Sequence, residues 1–156
     1  MNFAPIVIID TREQTPWMFE NLCSERATLA TADYTIKGLT HRVGIERKEL
    51  SDLLACCGHG RDRFVRELER LAAFPFRCVI IEATLTDLEA GNWRSKLRAT
   101  HVLGSIASWA TKYGLPFFFC DGHEQAGRFA ERWLFQAARH IAQEHQAAIG
   151  ITEGAA

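Results

Sequence analysis

The sequence predicts an α/β domain in which helices cover both faces of a central sheet. Three observations carry that expectation. Short β-branched or aromatic runs, "PIVIID" (5–10), "FRCVIIEA" (76–83) and "GLPFFFCD" (114–121), have the length of buried strands. Between them apolar residues recur at spacings of three and four, the period of a helix. No linker and no repeat interrupts the alternation, and 156 residues at 47% hydrophobic composition suffice for one core.

The elements follow in order. "PIVIID" ends in Asp10, and Pro16 in "TREQTPW" marks a turn after it. "DYTIKGLTHRVGIERK" (33–48) holds two strand-like runs, "YTI" and "RVGIE", around "KGLT", and a hairpin is their simplest arrangement. From Glu49 the period changes. Leu50, Leu53 and Leu54, then Phe64, Leu68 and Leu71, predict two helices separated by "CGHG". "FRCVIIEA" follows Pro75 as a strand, and "SKLRATHVLGSIASWATKY" reads as a helix through Leu97, Val102, Ile106 and Trp109. "GLPFFFCD" is the last strand. The segment from Glu124 to about Gln146 is a long amphipathic helix with Phe129, Trp133, Ala137 and Ile141 along one stripe, which suits a core face or a partner helix.

Bulk properties exclude several functions. With 18 Lys+Arg against 19 Asp+Glu the net charge is -1, so any nucleic-acid contact must come from a local cluster. Five irregularly spaced cysteines and an N-terminus without a signal-peptide pattern point to a reduced, cytoplasmic protein, or one with the chromosomal DNA in a eukaryote. "CCGH" (56–59) has no second pair to complete a zinc site, and no apolar stretch is long enough to span a membrane. No histidine pairs with a cysteine or serine as a nucleophile would require.

In layered sheets, sites gather at strand ends. Here those ends carry Asp10, Asp33, Glu46 and Lys48. Side chains alternate along a strand, so Glu46 and Lys48 share one face and Arg47 takes the other. Two carboxylates with an ammonium beside them are the parts of a hydrolytic metal centre. Asp33 and Glu46 would hold Mg²⁺ or Mn²⁺, and Lys48 would orient or help deprotonate the attacking water. "ERK" alone also fits a salt-bridge cluster at the surface, and spacing does not choose between the two.

"IIDTRE", "ADYTI" and "IERKELSD" together resemble the signature of the nuclease domain of XPF-type structure-specific endonucleases, in the restriction-endonuclease-like superfamily: an aspartate, a spacer, ERK, three residues and an aspartate. Asp33 precedes Glu46 by 13 positions, and Asp52 follows Lys48 after "ELS". "GRDRFVRELERL" is similar to the family's arginine-bearing helix, with Arg63 at the matching position. The resemblance implies a three-layer restriction-endonuclease-like fold, a central mixed β-sheet flanked by helices. It implies one nuclease domain over residues 1–150, a disordered tail at 151–156, and no helix-hairpin-helix module.

As function, the resemblance implies a Mg²⁺- or Mn²⁺-dependent DNA endonuclease acting on branched or flapped DNA in repair or recombination. Its partners would be DNA, a second copy in a homodimer, and an accessory DNA-binding protein in place of the missing module. Asp10, Arg12 and Glu13 would form the first acidic and basic element, with Asp10, Asp33 and Glu46 at the metal. Lys48 would be the catalytic lysine, and Arg47 and Asp52 would support the site by pairing behind it. Ala32 stands where the family commonly has glycine, and Glu67 where it has glutamine. The alternatives are a catalytically silent DNA-binding or dimerisation subunit, or a nuclease of the same superfamily acting on plain duplex or RNA.

Further cations have two readings each. Arg61, Arg63, Arg66 and Arg70, with Arg94, Lys96 and Arg98 later, suit phosphate contacts. The first four also alternate with Asp62, Glu67 and Glu69 as a solvated helix face does. Arg61 and Arg63 are the candidates for DNA contact. Trp17 would either stack on an unpaired base or pack beside Pro16. His59 is a loop histidine near the candidate site.

Overall fold

The computed structural model describes residues 3–150; the expected tail at 151–156 lies outside them. In chain order the elements are β1 (Val7–Asp10), β2 (Ser24–Ala27), β3 (Tyr34–Ile36), β4 (Val43–Glu49), α1 (Leu50–Cys57), α2 (Arg61–Ala72), β5 (Phe76–Glu82), α3 (Leu85–Ala90), α4 (Ala99–Tyr113), β6 (Phe117–Phe119) and α5 (Gly122–Ala148). The strands form one mixed sheet in the order β2-β1-β3-β4-β5-β6. β1 runs parallel to β2 and antiparallel to β3; β3 and β4 form the antiparallel hairpin expected around "KGLT"; β4, β5 and β6 are parallel.

Alternation along the central strands assigns each face to its own helical layer. Val43, Ile45, Cys78 and Ile80 face α5 and pack with Ala126, Ala130, Leu134 and Ala137. Val79 and Ile81 face the other way, against Leu53, Phe64, Leu68, Val102 and Trp109 of α1, α2 and α4. Burial on both faces explains why β5 reads as a nearly continuous apolar run, as does the first half of β4 before its charges begin at Glu46. The stripe of α5 serves this core: Ala137 and Ile141 are buried in it, and Phe129 and Trp133 pack against it. Gly44, on the α2 side of β4, has no room for a side chain. A Cβ there would lie 2.9 Å from Leu71 Cδ1 and 3.0 Å from both Ala32 and Phe74.

Three differences from the sequence expectation have physical causes. β2, "SERA", is exposed at every position and holds its edge place by backbone pairing with β1, so it carries no apolar pattern. α3 is only six residues long, too short for a period to show, but it has a capping box between Thr84 and Asp87 and ends at Gly91 in the left-handed region. The helix expected from "SKLR" begins at Ala99, leaving 91–98 irregular. No helix among the described residues is long and apolar enough to cross a membrane.

Candidate active site

Four strand and loop positions, Asp10, Asp33, Glu46 and Lys48, converge because three strands meet there. β1 and β4 both grip Asp33, just ahead of β3: the Asp10 backbone N–H donates to the Asp33 carbonyl at 2.9 Å, and the Asp33 N–H donates to Ile45 O at 2.9 Å. The Asp33 carboxylate then accepts from the Arg47 backbone N–H at 2.8 Å. Ala32, immediately before it, has φ +69°, the one non-glycine residue with positive φ among those described. A glycine would hold that angle freely, and alanine occupies it under strain.

Asp10, Asp33, Glu46 and Lys48 line one open pocket of about 190 Å³, edged by Arg12, Arg63, Glu67 and Arg70. Lys48 Nζ lies 2.8 Å from Glu46 Oε1 and 4.0 Å from Glu67. Its ammonium also sits 4.9 Å from the centre of the Phe64 ring, a cation–π contact that fixes the side chain against α2.

The electrostatics follow from burial. Burial first, and the charge of Glu46 second, push the Asp33 carboxyl well above the usual range, against the opposing pull of Lys48. Burial likewise raises Glu46, with Lys48 opposing. For Lys48 burial works against the charge, but Glu46 and Asp33 outweigh it and hold the ammonium protonated above its normal range. One ammonium therefore serves one buried and one half-buried carboxylate, a donor set short of positive charge. Among the described residues no group of three or more His, Cys, Asp or Glu side chains is placed to hold a metal ion, so protein ligation here would rest on two carboxylates, Asp33 and Glu46. The set suits a hard divalent ion that keeps most of its waters and takes few protein oxygens, rather than zinc.

Asp10 is differently engaged. Its Oδ2 accepts from Arg12 Nε at 2.6 Å and its Oδ1 from the Leu29 N–H at 3.0 Å. Burial opposes its charge, but these two donors hold the carboxyl below its usual range.

Arg47 faces away from the pocket, as alternation requires. Its guanidinium meets Glu82 at 2.8 Å, Glu13 at 2.7 Å, Glu49 at 2.8 Å and the Thr15 carbonyl at 2.8 Å. The carboxylates behind the site are thus Glu13, Glu49 and Glu82. Asp52 is not among them: it is exposed on α1, and the fork of Arg47 is already filled by Glu13, Glu49 and Glu82. Glu13, expected at the catalytic element, belongs instead to this rear cluster, where it also accepts from the Tyr34 hydroxyl at 3.0 Å.

Three members of the rear cluster, Glu49, Glu82 and His123, escaped the sequence reading. Glu82 accepts from Trp17 Nε1 at 2.7 Å as well as from Arg47, and lies 3.1 Å from His123 Nδ1 at the start of α5. Its signal was available, since it ends β5 as Asp10 ends β1. His123 had none. Trp17 itself is buried and stacked on Tyr34 with ring centres 4.4 Å apart, so it packs and offers no face to a base. Arg61 is also drawn away from the expected DNA surface: it donates to Ser105 Oγ at 2.8 Å and lies 5.0 Å from the Trp109 ring centre. Arg63 remains on the pocket rim with 83% of its side chain exposed. His59 borders a separate groove beside α1.

The ERCC4 domain family model matches residues 9–132. Among solved structures, XPF from Aeropyrum pernix is similar with a TM-score of 0.69 at 18% identity, covering 91% of this chain and 69% of that one. XPF from Aeropyrum pernix in complex with DNA is similar with a TM-score of 0.63 at 19% identity, over 90% of this chain and 66% of that one. At such identities the likeness speaks for the fold. No curated protein sequence matches the chain.

Proposed function

Because this chain belongs to the ERCC4 domain family, we propose that it is a metal-dependent DNA endonuclease that hydrolyses phosphodiester bonds in branched or flapped DNA. The observation that carries the reading is the meeting of Asp33, Glu46 and Lys48 in one open pocket with arginines on its rim. Asp33 and Glu46 would hold Mg²⁺ or Mn²⁺; Asp10, expected as a third ligand, lines the β1 wall with its two oxygens taken by Arg12 and the Leu29 N–H, and would shape the pocket instead. Bound there, the ion would supply Lewis-acid stabilisation of phosphate charge and an acidified water.

The chain's own residues supply the rest. Lys48, as an ammonium, donates hydrogen bonds to the incoming water or to a non-bridging phosphate oxygen. Carrying its proton, it orients and neutralises rather than abstracts. Arg63 and Arg70 on the rim contact flanking phosphates. Arg47 acts from behind by fixing β4, and its backbone N–H keeps the Asp33 carboxylate aimed.

The test is cleavage of labelled single-strand, duplex, flap and four-way DNA with Mg²⁺ or Mn²⁺, beside the Asp33→Ala and Lys48→Ala variants. Cutting of the branched forms by the parent protein and loss of cutting in both variants is the expected result. No cutting of any substrate, or undiminished cutting by both variants, refutes it.

A further inference from the structure

We infer that a groove between α1 and the 93–98 loop binds a single-stranded arm of the DNA, through stacking against Trp93 and phosphate contacts from Arg94, Lys96 and Arg98. The inference rests on DNA being the substrate and adds where its unpaired strand runs.

Charge is the first observation. From Ala90 to Cys120 the chain has no Asp or Glu, while Arg94, Lys96, Arg98 and Lys112 are all cations, in a protein of net charge -1. Arg94, Lys96 and Arg98 are exposed, and among the described residues none of them enters an ion pair. Arg63, by contrast, faces Glu67, and Arg42 faces Glu144. Three unpaired cations within five residues make a local site for polyanion.

Shape is the second. Arg94 lines an open groove of about 690 Å³ whose apolar wall comes from Leu50, Leu54, Ala55, Trp93 and Leu97, and Lys96 and Arg98 flank that wall in the chain on either side of Leu97. Trp93 is half-buried, and its indole N–H is satisfied by the Leu97 carbonyl at 2.8 Å, so its ring is held in place at the groove. His101 ties the start of α4 to the end of α1 through Cys57 O at 3.1 Å, which keeps the wall together.

An apolar, aromatic wall with cations alongside suits unpaired nucleotides, whose bases offer apolar faces while their phosphates remain outside. A duplex hides those faces and would use only the cations. Position agrees: α1 begins two residues after Lys48 and has eight residues, so its groove face lies within about 12 Å of the end of the catalytic strand.

The experiment is fluorescence anisotropy of the full chain in metal-free buffer, with a labelled single-strand oligonucleotide and a blunt duplex, across a salt series. The triple variant Arg94→Ala, Lys96→Ala, Arg98→Ala should bind the single strand at least tenfold more weakly. Its log–log salt slope should fall by roughly 2, from a loss of about 0.7 per phosphate contact. Trp93→Ala should lose about fivefold or more, and Trp93→Phe, which keeps a stacking ring, should recover most of it. Equal single-strand affinity and slope in the parent and the triple variant overturns the inference, as does an equal loss on single strand and blunt duplex. A parent protein that binds and cuts no DNA overturns the functional reading itself, an outcome distinct from either of those.

Discussion

Replacing Glu82 by alanine should cost stability out of proportion to the single carboxylate removed. Glu82 holds Arg47 at 2.8 Å through Nε, takes the Trp17 indole N–H at 2.7 Å, and has only 8% of its side chain exposed, against 5% for Arg47. Removing one partner of a buried ion pair leaves the other charge uncompensated and costs about 3–5 kcal/mol. Arg47 keeps Glu13 and Glu49, so the lower end, about 3 kcal/mol, is expected. In a domain of this size that corresponds to a fall in Tm of roughly 6–12 °C. Glu49→Ala is the control. It removes a second carboxylate from the same guanidinium, but Glu49 is 46% exposed, and an exposed pair contributes less than about 1 kcal/mol. Urea unfolding of both variants, compared at unchanged m-value, measures the difference. Equal losses in the two, or a loss below about 1 kcal/mol for Glu82→Ala, would refute the view that burial behind the site gives this cluster its weight.

Lys48→Ala should lower the cleavage rate at saturating substrate by roughly 10²- to 10³-fold, the effect of deleting one transition-state donor, with DNA affinity nearly unchanged; single-turnover kinetics separate the two. Gly44→Ala drives a methyl group to 2.9 Å from Leu71 and 3.0 Å from Phe74, and should cost about 1–3 kcal/mol in urea midpoint experiments. Burial raises the thiols of Cys57, Cys78 and Cys120, and pushes Cys56 up to about 11 despite Lys48 nearby. Because the folded values lie above the unfolded ones, the thiols' contribution to stability is full below about pH 9. For Cys56 it should be lost as the pH climbs through its folded value near 11, and alkaline unfolding curves read this directly. At pH 8, mass spectrometry after a short alkylation should find Cys23, the exposed thiol, modified ahead of the other four.

How far the sequence revealed the fold depended on where burial writes a pattern. β1, β4 and β5 were legible because both faces are covered, and α2 and α5 because one face is. β2 was invisible: an edge strand with every residue exposed is specified by its neighbour's backbone, which no side chain reports. The pocket was legible from alternation alone, as far as Glu46 and Lys48 on one face and Arg47 on the other. The identity of Arg47's partners was not, since it depends on which strand lies alongside β4. That strand is β5, whose Glu82 sits 36 positions after Glu46 in the chain yet beside Glu49 in the sheet. Arg61 illustrates the opposite error. A cation at the start of a helix looks available for phosphate until α4 places Trp109 and Ser105 against it.

The order of the charges in "ERK" therefore matters as much as their presence. Glu46 and Lys48 lie on the face where α2 leaves an open pocket, while Arg47 lies on the face backed by Trp17, Glu82 and the start of α5. The two faces ask for different cations. The rear face presents three carboxylates and a carbonyl around one point, which a planar guanidinium with five donors can satisfy and an ammonium with three cannot. The open face needs a compact charge that holds Glu46 at 2.8 Å and still leaves donors for a phosphate or a water. Arginine at that position would spread its charge over a wider fork and fill the space the substrate requires. A single strand thus joins the rigid cluster to the reactive one: the peptide N–H of Arg47 carries the rear network's order directly to the Asp33 carboxylate.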